Sequence, residues 1–131
     1  MKTITMRIAP LLLALPLQAM AANPSEYDQL YSACVDKHGR INNGVVEACS
    51  TEVSDRAKAE ITRRYKTIHA RLAEANADDA AKFEESQKAW LKYRNTHCEL
   101  AGSYIGSPMY GFCPMTLNAE RALELRELDG E

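Results

Sequence analysis

The chain has 131 residues, with 16 Lys plus Arg against 18 Asp plus Glu and a formal net charge of −2 at pH 7. That length holds one domain and no more. The balance lacks the basic patch that a nucleic-acid partner calls for.

The chain opens with Lys2 and Arg7 and no acid, then runs apolar from Ile8 to Leu17, interrupted by Pro10 and Pro16. Ala19-Met20-Ala21 follows, the small-x-small pattern a signal peptidase accepts, so residues 1–21 read as a secretory signal cut before Ala22. A membrane span needs ~20 apolar residues and this run is about half that, which argues against a retained anchor. No cysteine sits at the cut, so a lipoprotein is not expected. Residues 22–131 are then a single helical domain of the periplasm or cell exterior, without a membrane span. Losing Lys2 and Arg7 leaves 14 basic against 18 acidic side chains, a net charge of −4. Such a charge suits a cationic partner and is also ordinary for a soluble domain.

The first helix is expected after Pro24-Ser25, with Ser25 as cap and Asp28 completing an acidic capping box. Tyr27, Leu30, Tyr31 and Cys34 share one face, and Gly39 ends the helix. A second, long helix follows Asn42-Asn43-Gly44. Val46, Cys49, Val53, Ala57, Ile61, Tyr65, Ile68 and Leu72 form one stripe at helical spacing. Arg56, Lys58, Arg63, Arg64, Lys66 and Arg71 lie opposite, and with Asp55, Glu60 and Glu74 among them they read as a solvated face. A break at Ala75-Asn76-Ala77-Asp78 leads to the third helix. Asp78, Asp79, Glu84 and Glu85 near its start suit the helix dipole. Phe83, Gln87, Trp90, Leu91, Arg94, Cys98 and Ala101 mark its buried stripe. Gln87 and Arg94 are polar there, and polar groups on such a stripe must find partners; a hydrogen-bond network around Trp90 is expected. Residues 102–112 read as a glycine-rich loop. Tyr104, Met109, Tyr110 and Phe112 in it are candidate binding residues, or they fold back with Ile105 to cap the bundle. A short fourth helix, capped by Asn118, is expected to turn Ala122, Leu125 and Leu128 inward. Sustained alternation is absent, so no sheet is expected.

Cys34, Cys49, Cys98 and Cys113 all lie after the signal, and an even count in an exported chain reads as disulfides. Cys34 to Cys49 and Cys98 to Cys113 are each 15 residues apart, and local pairing is the simplest of three connectivities. Zinc ligands usually come as C-x-x-C or H-x-x-x-H pairs; none occurs, His38, His69 and His97 are scattered, and no metal or cofactor is expected. A nucleophile elbow and a phosphate-binding glycine loop are missing too. The expectation is an all-α four-helix domain with one long helix, stapled by two disulfides, that binds rather than catalyses.

Gln87, Ala89, Trp90, Tyr93, Arg94 and Cys98 stand in the pattern Q-x-A-W-x-x-Y-R-x-x-x-C, which resembles the signature of the lysozyme inhibitor LprI-like family of small exported bacterial proteins. Gly106-Ser107-Pro108-Met109 resembles that family's glycine-containing loop. Cys113, Leu117, Asn118 and Arg121 resemble its C-x-x-x-L-T-x-x-R ending, with Asn118 where threonine is usual. Cys34, Cys49 and Tyr65 fall where the family tends to have cysteines and an L-N-x-x-Y segment, although Ile61-Thr62 replace Leu-Asn. The likeness runs from about Cys34 to Leu125. It implies binding to a lysozyme or related wall hydrolase, with Trp90 as core anchor and Arg94 and Arg121 as tethers. An immunity, adaptor or envelope-stress protein with another protein partner is the alternative.

Overall fold

The structure, a computed structural model, describes residues 24–130; the expected signal and its cut lie outside them. Four helices follow one another: α1 (Glu26–His38), α2 (Asn43–Ala75), α3 (Ala77–Tyr104) and α4 (Met109–Asp129). No strand occurs among the described residues. The all-α, two-disulfide architecture is the one the periodicity predicts.

Polar caps set the helix starts of α1 to α3. The Ser25 hydroxyl accepts the Asp28 N–H while the Asp28 carboxylate accepts the Ser25 N–H, a complete capping box. Gly39, at φ 66°, ends α1 in the left-handed conformation that glycine adopts at least cost. Asn42 caps α2 by accepting the Val45 N–H at 3.1 Å, so this helix starts at Asn43, before the Asn-Gly pair expected to precede it. Asn76 alone separates α2 from α3. Its N–H closes α2 on the Leu72 carbonyl, and its side chain accepts from the Asp78 N–H to open α3.

Val53, Ala57, Ile61 and Ile68 of α2 pack with Tyr27 of α1, Phe83 of α3, and Met115, Ala119, Ala122 and Leu125 of α4. Leu91 and Leu128, expected inward, are exposed. Leu128 lies about 60° round α4 from Leu125, and its turn is held instead by Arg71, which donates to the Leu128 carbonyl at 2.9 Å. Leu91 stands at the rim of a hollow between α2 and α3.

The basic face of α2 is also not uniformly solvated. Glu60 and Arg64 are buried. The Glu60 carboxylate accepts from the Tyr27 hydroxyl at 2.5 Å, from Arg64 Nε at 2.8 Å and from Arg126 Nε at 3.0 Å. Arg64 also donates to Asp129 at 3.0 Å, and Arg126 pairs with Glu26. One carboxylate thus ties α1, α2 and the end of α4 together. Burial pushes the Glu60 pKa up, but the hydrogen bonds from Tyr27, Arg64 and Arg126 outweigh it and hold the group at about 2. The same burial, with the bond to Glu60, raises the Tyr27 pKa.

The disulfides are Cys34–Cys49 and Cys98–Cys113, the local pairing. The first fixes α1 on the start of α2, the second the C-terminal part of α3 on the start of α4. In the chain-entropy account, loops of this length contribute roughly 3 kcal/mol each through the unfolded state.

Because the Glu60 pKa is lower folded than unfolded, its stabilisation is complete above the ordinary value of 4.5 and is lost as pH falls through about 2. The loss is expected to be on the order of 2 to 3 kcal/mol. Urea unfolding followed by helical circular dichroism on either side of this window measures it. Glu60→Gln should remove most of the difference.

Candidate functional site

On α3 the residues of the tryptophan motif meet α4 through side-chain bridges. Gln87 is buried, and its side-chain oxygen accepts from Arg121 Nε at 3.1 Å and Nη2 at 3.0 Å. Arg94 donates from Nη1 to Asn118 Oδ1 at 2.8 Å, and Asn118 Nδ2 donates to the Ser54 hydroxyl of α2 at 2.7 Å. The half-buried Trp90 ring lies beneath two guanidinium groups, with Arg94 at 5.2 Å and Arg121 at 5.7 Å from its centroid. Such cation–π contacts contribute ~0.5–2 kcal/mol, more where water is displaced. The expected network around Trp90 exists and joins three helices.

Asn118 is a correction. It does not cap a helix, since α4 begins nine residues earlier at Met109 and Asn118 is buried in its interior. An asparagine before an alanine-rich run looks like a start signal. Its amide instead serves one donor and one acceptor at once.

Residues 102–112 are not a loop either. Helix α3 continues to Tyr104, α4 starts at Met109, and residues 105–108 alone connect them. Of the glycines that suggested a loop, Gly106, at φ 146°, makes the turn. Gly102 and Gly111 sit inside helices and serve close approach: a Cβ on Gly102 would stand 2.3 Å from the Tyr110 ring, and one on Gly111 2.6 Å from the Glu47 carboxylate. The four candidate binding residues separate accordingly. Met109 is half-buried against the Cys98–Cys113 cluster, and Phe112 is half-buried with its ring edge-on to Tyr31. Tyr110 is exposed, with its ring against Gly102 and its hydroxyl 3.2 Å from that of Ser103. Tyr104 is 85% exposed, and on a helix it projects about 100° round from Ser103.

Two surfaces remain once these internal contacts are subtracted. The first is a stripe on the outer side of α3. Tyr93, His97, Leu100 and Tyr104 recur at spacings of 4, 3 and 4, the repeat of one helix face, and all are exposed. Tyr93 and His97 stack with ring centroids 5.2 Å apart, and exposed Ile105 continues the stripe into the turn. The motif residue Tyr93 therefore faces solvent, whereas Gln87, Trp90, Arg94 and Arg121 take part in the contacts between α3 and α4. His97 and Leu100 lie inside the expected third helix, but an outward apolar face beside a buried stripe carries no core signal, and Tyr104 and Ile105 fall in the expected loop.

The second surface is the hollow between α2 and α3, with a cavity volume of about 540 Å³. Two smaller hollows continue it toward Tyr110. One shares Arg94 with it and the other Lys58, and both are lined by Tyr110 and Pro114. Arg94, at the junction, has only the side-chain oxygens of Asn95 and Asn118 as hydrogen-bond acceptors. Burial lowers its pKa from the ordinary arginine value.

Cys34, Cys49 and His38 lie within ligand distance of one another, but both sulfurs are consumed in the disulfide. No helix among the described residues is long and apolar enough to cross a membrane.

The family described as Lysozyme inhibitor LprI matches residues 34–125, from the first cysteine to the last buried leucine of α4. The chain belongs to this family. No curated protein and no solved structure gives a significant match.

Asn118→Ala should leave Arg94 and Ser54 each without a buried partner and lower stability by about 2 to 3 kcal/mol. Thermal unfolding of the oxidised protein checks this. An unchanged midpoint would mean that the Arg94–Asn118–Ser54 bridge carries no weight.

Proposed function

We propose that this member of the lysozyme inhibitor LprI family is exported and binds a lysozyme or related cell-wall hydrolase, blocking it by occlusion rather than by chemistry. The observation that carries the reading is the α3 stripe. Tyr93, Leu100 and Tyr104 are 52%, 56% and 85% exposed and share one face of α3, whereas Ile41, Tyr110 and Leu128, exposed as well, stand apart on other segments. Contiguous exposed aromatic and aliphatic side chains mark interaction sites, and tyrosine is a frequent anchor at protein interfaces. A rigid helix presents them, so binding costs little ordering entropy.

Charge favours the same partner. Lysozymes of the c-type are basic, and the net negative charge of the exported chain would steer the encounter. Glu120 and Glu124 are exposed on α4, the helix packed antiparallel beside α3. Cross-helix pairing of Gln87 with Arg121 and Arg94 with Asn118 sets them on the Gln87 side of Tyr93, beyond the N-terminal end of the stripe.

The test is titration of wall-lysis activity of c-type, g-type and bacterial hydrolases with the oxidised protein. Stoichiometric inhibition of one of them is expected. The double variant Leu100→Ala with Tyr104→Ala should weaken it roughly tenfold or more, the size of a lost hot spot. Tyr110→Ala, on the other side of α3, should leave it unchanged. Inhibition that survives the double variant would remove the stripe as the contact. Failure to inhibit any hydrolase would favour an immunity, adaptor or envelope-stress role with a different protein partner.

A further inference from the structure

The hollow between α2 and α3 is not used by the hydrolase reading, and its chemistry differs from the rest of the molecule. Ile61, Tyr65, Trp90 and Leu91 supply its apolar lining. Its charged side chains are Lys58, Lys66, Lys88 and Arg94 against Glu84 alone, four cations to one acid, in a chain whose overall charge is negative. Glu84 is already engaged by Lys88 at 2.5 Å. Lys58 is paired with Asp55, but both side chains are more than half exposed, and such pairs hold weakly. Lys66 makes no ion pair among the described residues, and Arg94 meets only neutral oxygens. The cavity, at about 540 Å³, has the size of a small-molecule site rather than of a groove for a helix.

Arg94 supplies the decisive detail. A half-buried guanidinium normally has a carboxylate or phosphate facing it, because removing a charge from water is costly until it is paired. Here the fork is oriented by Asn118 and Asn95 and stabilised over Trp90, yet no acidic group answers it. Lys58 and Arg94 line the same hollow as Trp90, whose ring centroid is 5.2 Å from the Arg94 guanidinium. A ligand with an anionic head and an apolar body would pair its head with Arg94 and Lys58 while its body covered Trp90, Tyr65 and Leu91.

We infer that the cleft between α2 and α3 binds a small, soluble monoanionic amphiphile, a carboxylate on an acyl or aromatic body, with Arg94 and Lys58 receiving the head. This is a second binding function, on a different face from the α3 stripe, and it does not depend on the hydrolase reading.

Trp90 is the single tryptophan of the chain and forms part of the lining, so its emission reports on the site. The oxidised protein is titrated below the micelle concentration with decanoate, with the neutral decyl maltoside and with cationic decyltrimethylammonium. A further arm uses phosphatidylglycerol vesicles. Decanoate is expected to give a saturable blue shift, and the other two detergents none. Lys58→Glu, at an exposed position, should weaken decanoate binding roughly tenfold by reversing one charge of the head site. Leu91→Glu, at the exposed rim, should abolish it. Because Arg94 also braces the fold, Arg94→Gln is read only alongside a matching circular dichroism spectrum. An equal response to the neutral or cationic detergent would overturn the inference, as would a response to decanoate unchanged in both glutamate variants. A response to vesicles alone would overturn it too, by assigning the cleft to a membrane surface.

Discussion

A carboxylate inside a small helical protein is tolerated only where its charge is answered on every side, and Glu60 is answered from three helices. Tyr27 comes from α1, Arg64 from the next turn of α2, and Arg126 from the last turns of α4. Without that convergence, the polar end of α4 would have no reason to lie against α2, where Asp129 also meets Arg64 and Arg71. Buried ion pairs are weak sources of net stability but costly to break. Their value here is geometric. The cluster sets where α1 and α4 sit along an α2 that is about 50 Å long.

The remaining constraints can be placed relative to this one. Helix α4 is clamped twice, by Cys113 near its start and by Arg126 and Asp129 at its end. Helix α1 is clamped by Tyr27 and by Cys34. Helix α3 is held differently: its C-terminal part is fixed by Cys98, while its N-terminal half leans on Phe83, on Gln87 and on the one-residue turn at Asn76. Two helices joined so tightly at one end, each packed on α4 rather than fully on the other, leave a gap. That gap is the hollow beneath Trp90. The tryptophan motif thus has two consequences. It ties α3 to α4, and it turns an indole and an unanswered guanidinium toward the space on the α2 side.

Much of this was legible in the chain, and what escaped did so for identifiable reasons. The α2 stripe from Val53 to Ile68, the Ser25 box, the Gly39 stop and the local disulfides follow from periodicity and capping chemistry, which are local. Glu60 and Arg64 were hidden because a charged pair four residues apart looks the same in water as in a core; only Tyr27 and Arg126, far away in sequence, reveal the burial. Gly102 and Gly111 read as loop residues because glycine weakens helices. In the fold the two glycines admit Tyr110 and Glu47. Asn118 looked like a cap for the same reason: its partners, Arg94 and Ser54, are remote. The stripe of Tyr93, His97, Leu100 and Tyr104 is periodic, but a second apolar face on a helix that already carries a buried stripe gives no core signal, and its last member falls in the expected loop.

The two surfaces lie on opposite flanks of one helix, and their chemistry differs. Toward the outside, α3 offers aromatic and aliphatic groups. Toward α2 it offers an apolar floor under a cationic rim. A single surface could not serve both, since the charge that would steer a basic enzyme repels an anion and the reverse. Separation is possible because α3 is bonded to α4 between the two flanks by Gln87, Arg94 and Cys98. The same bonding makes the flanks independent. A scaffold braced this way can change what either flank binds while its core, its caps and its buried carboxylate stay as they are.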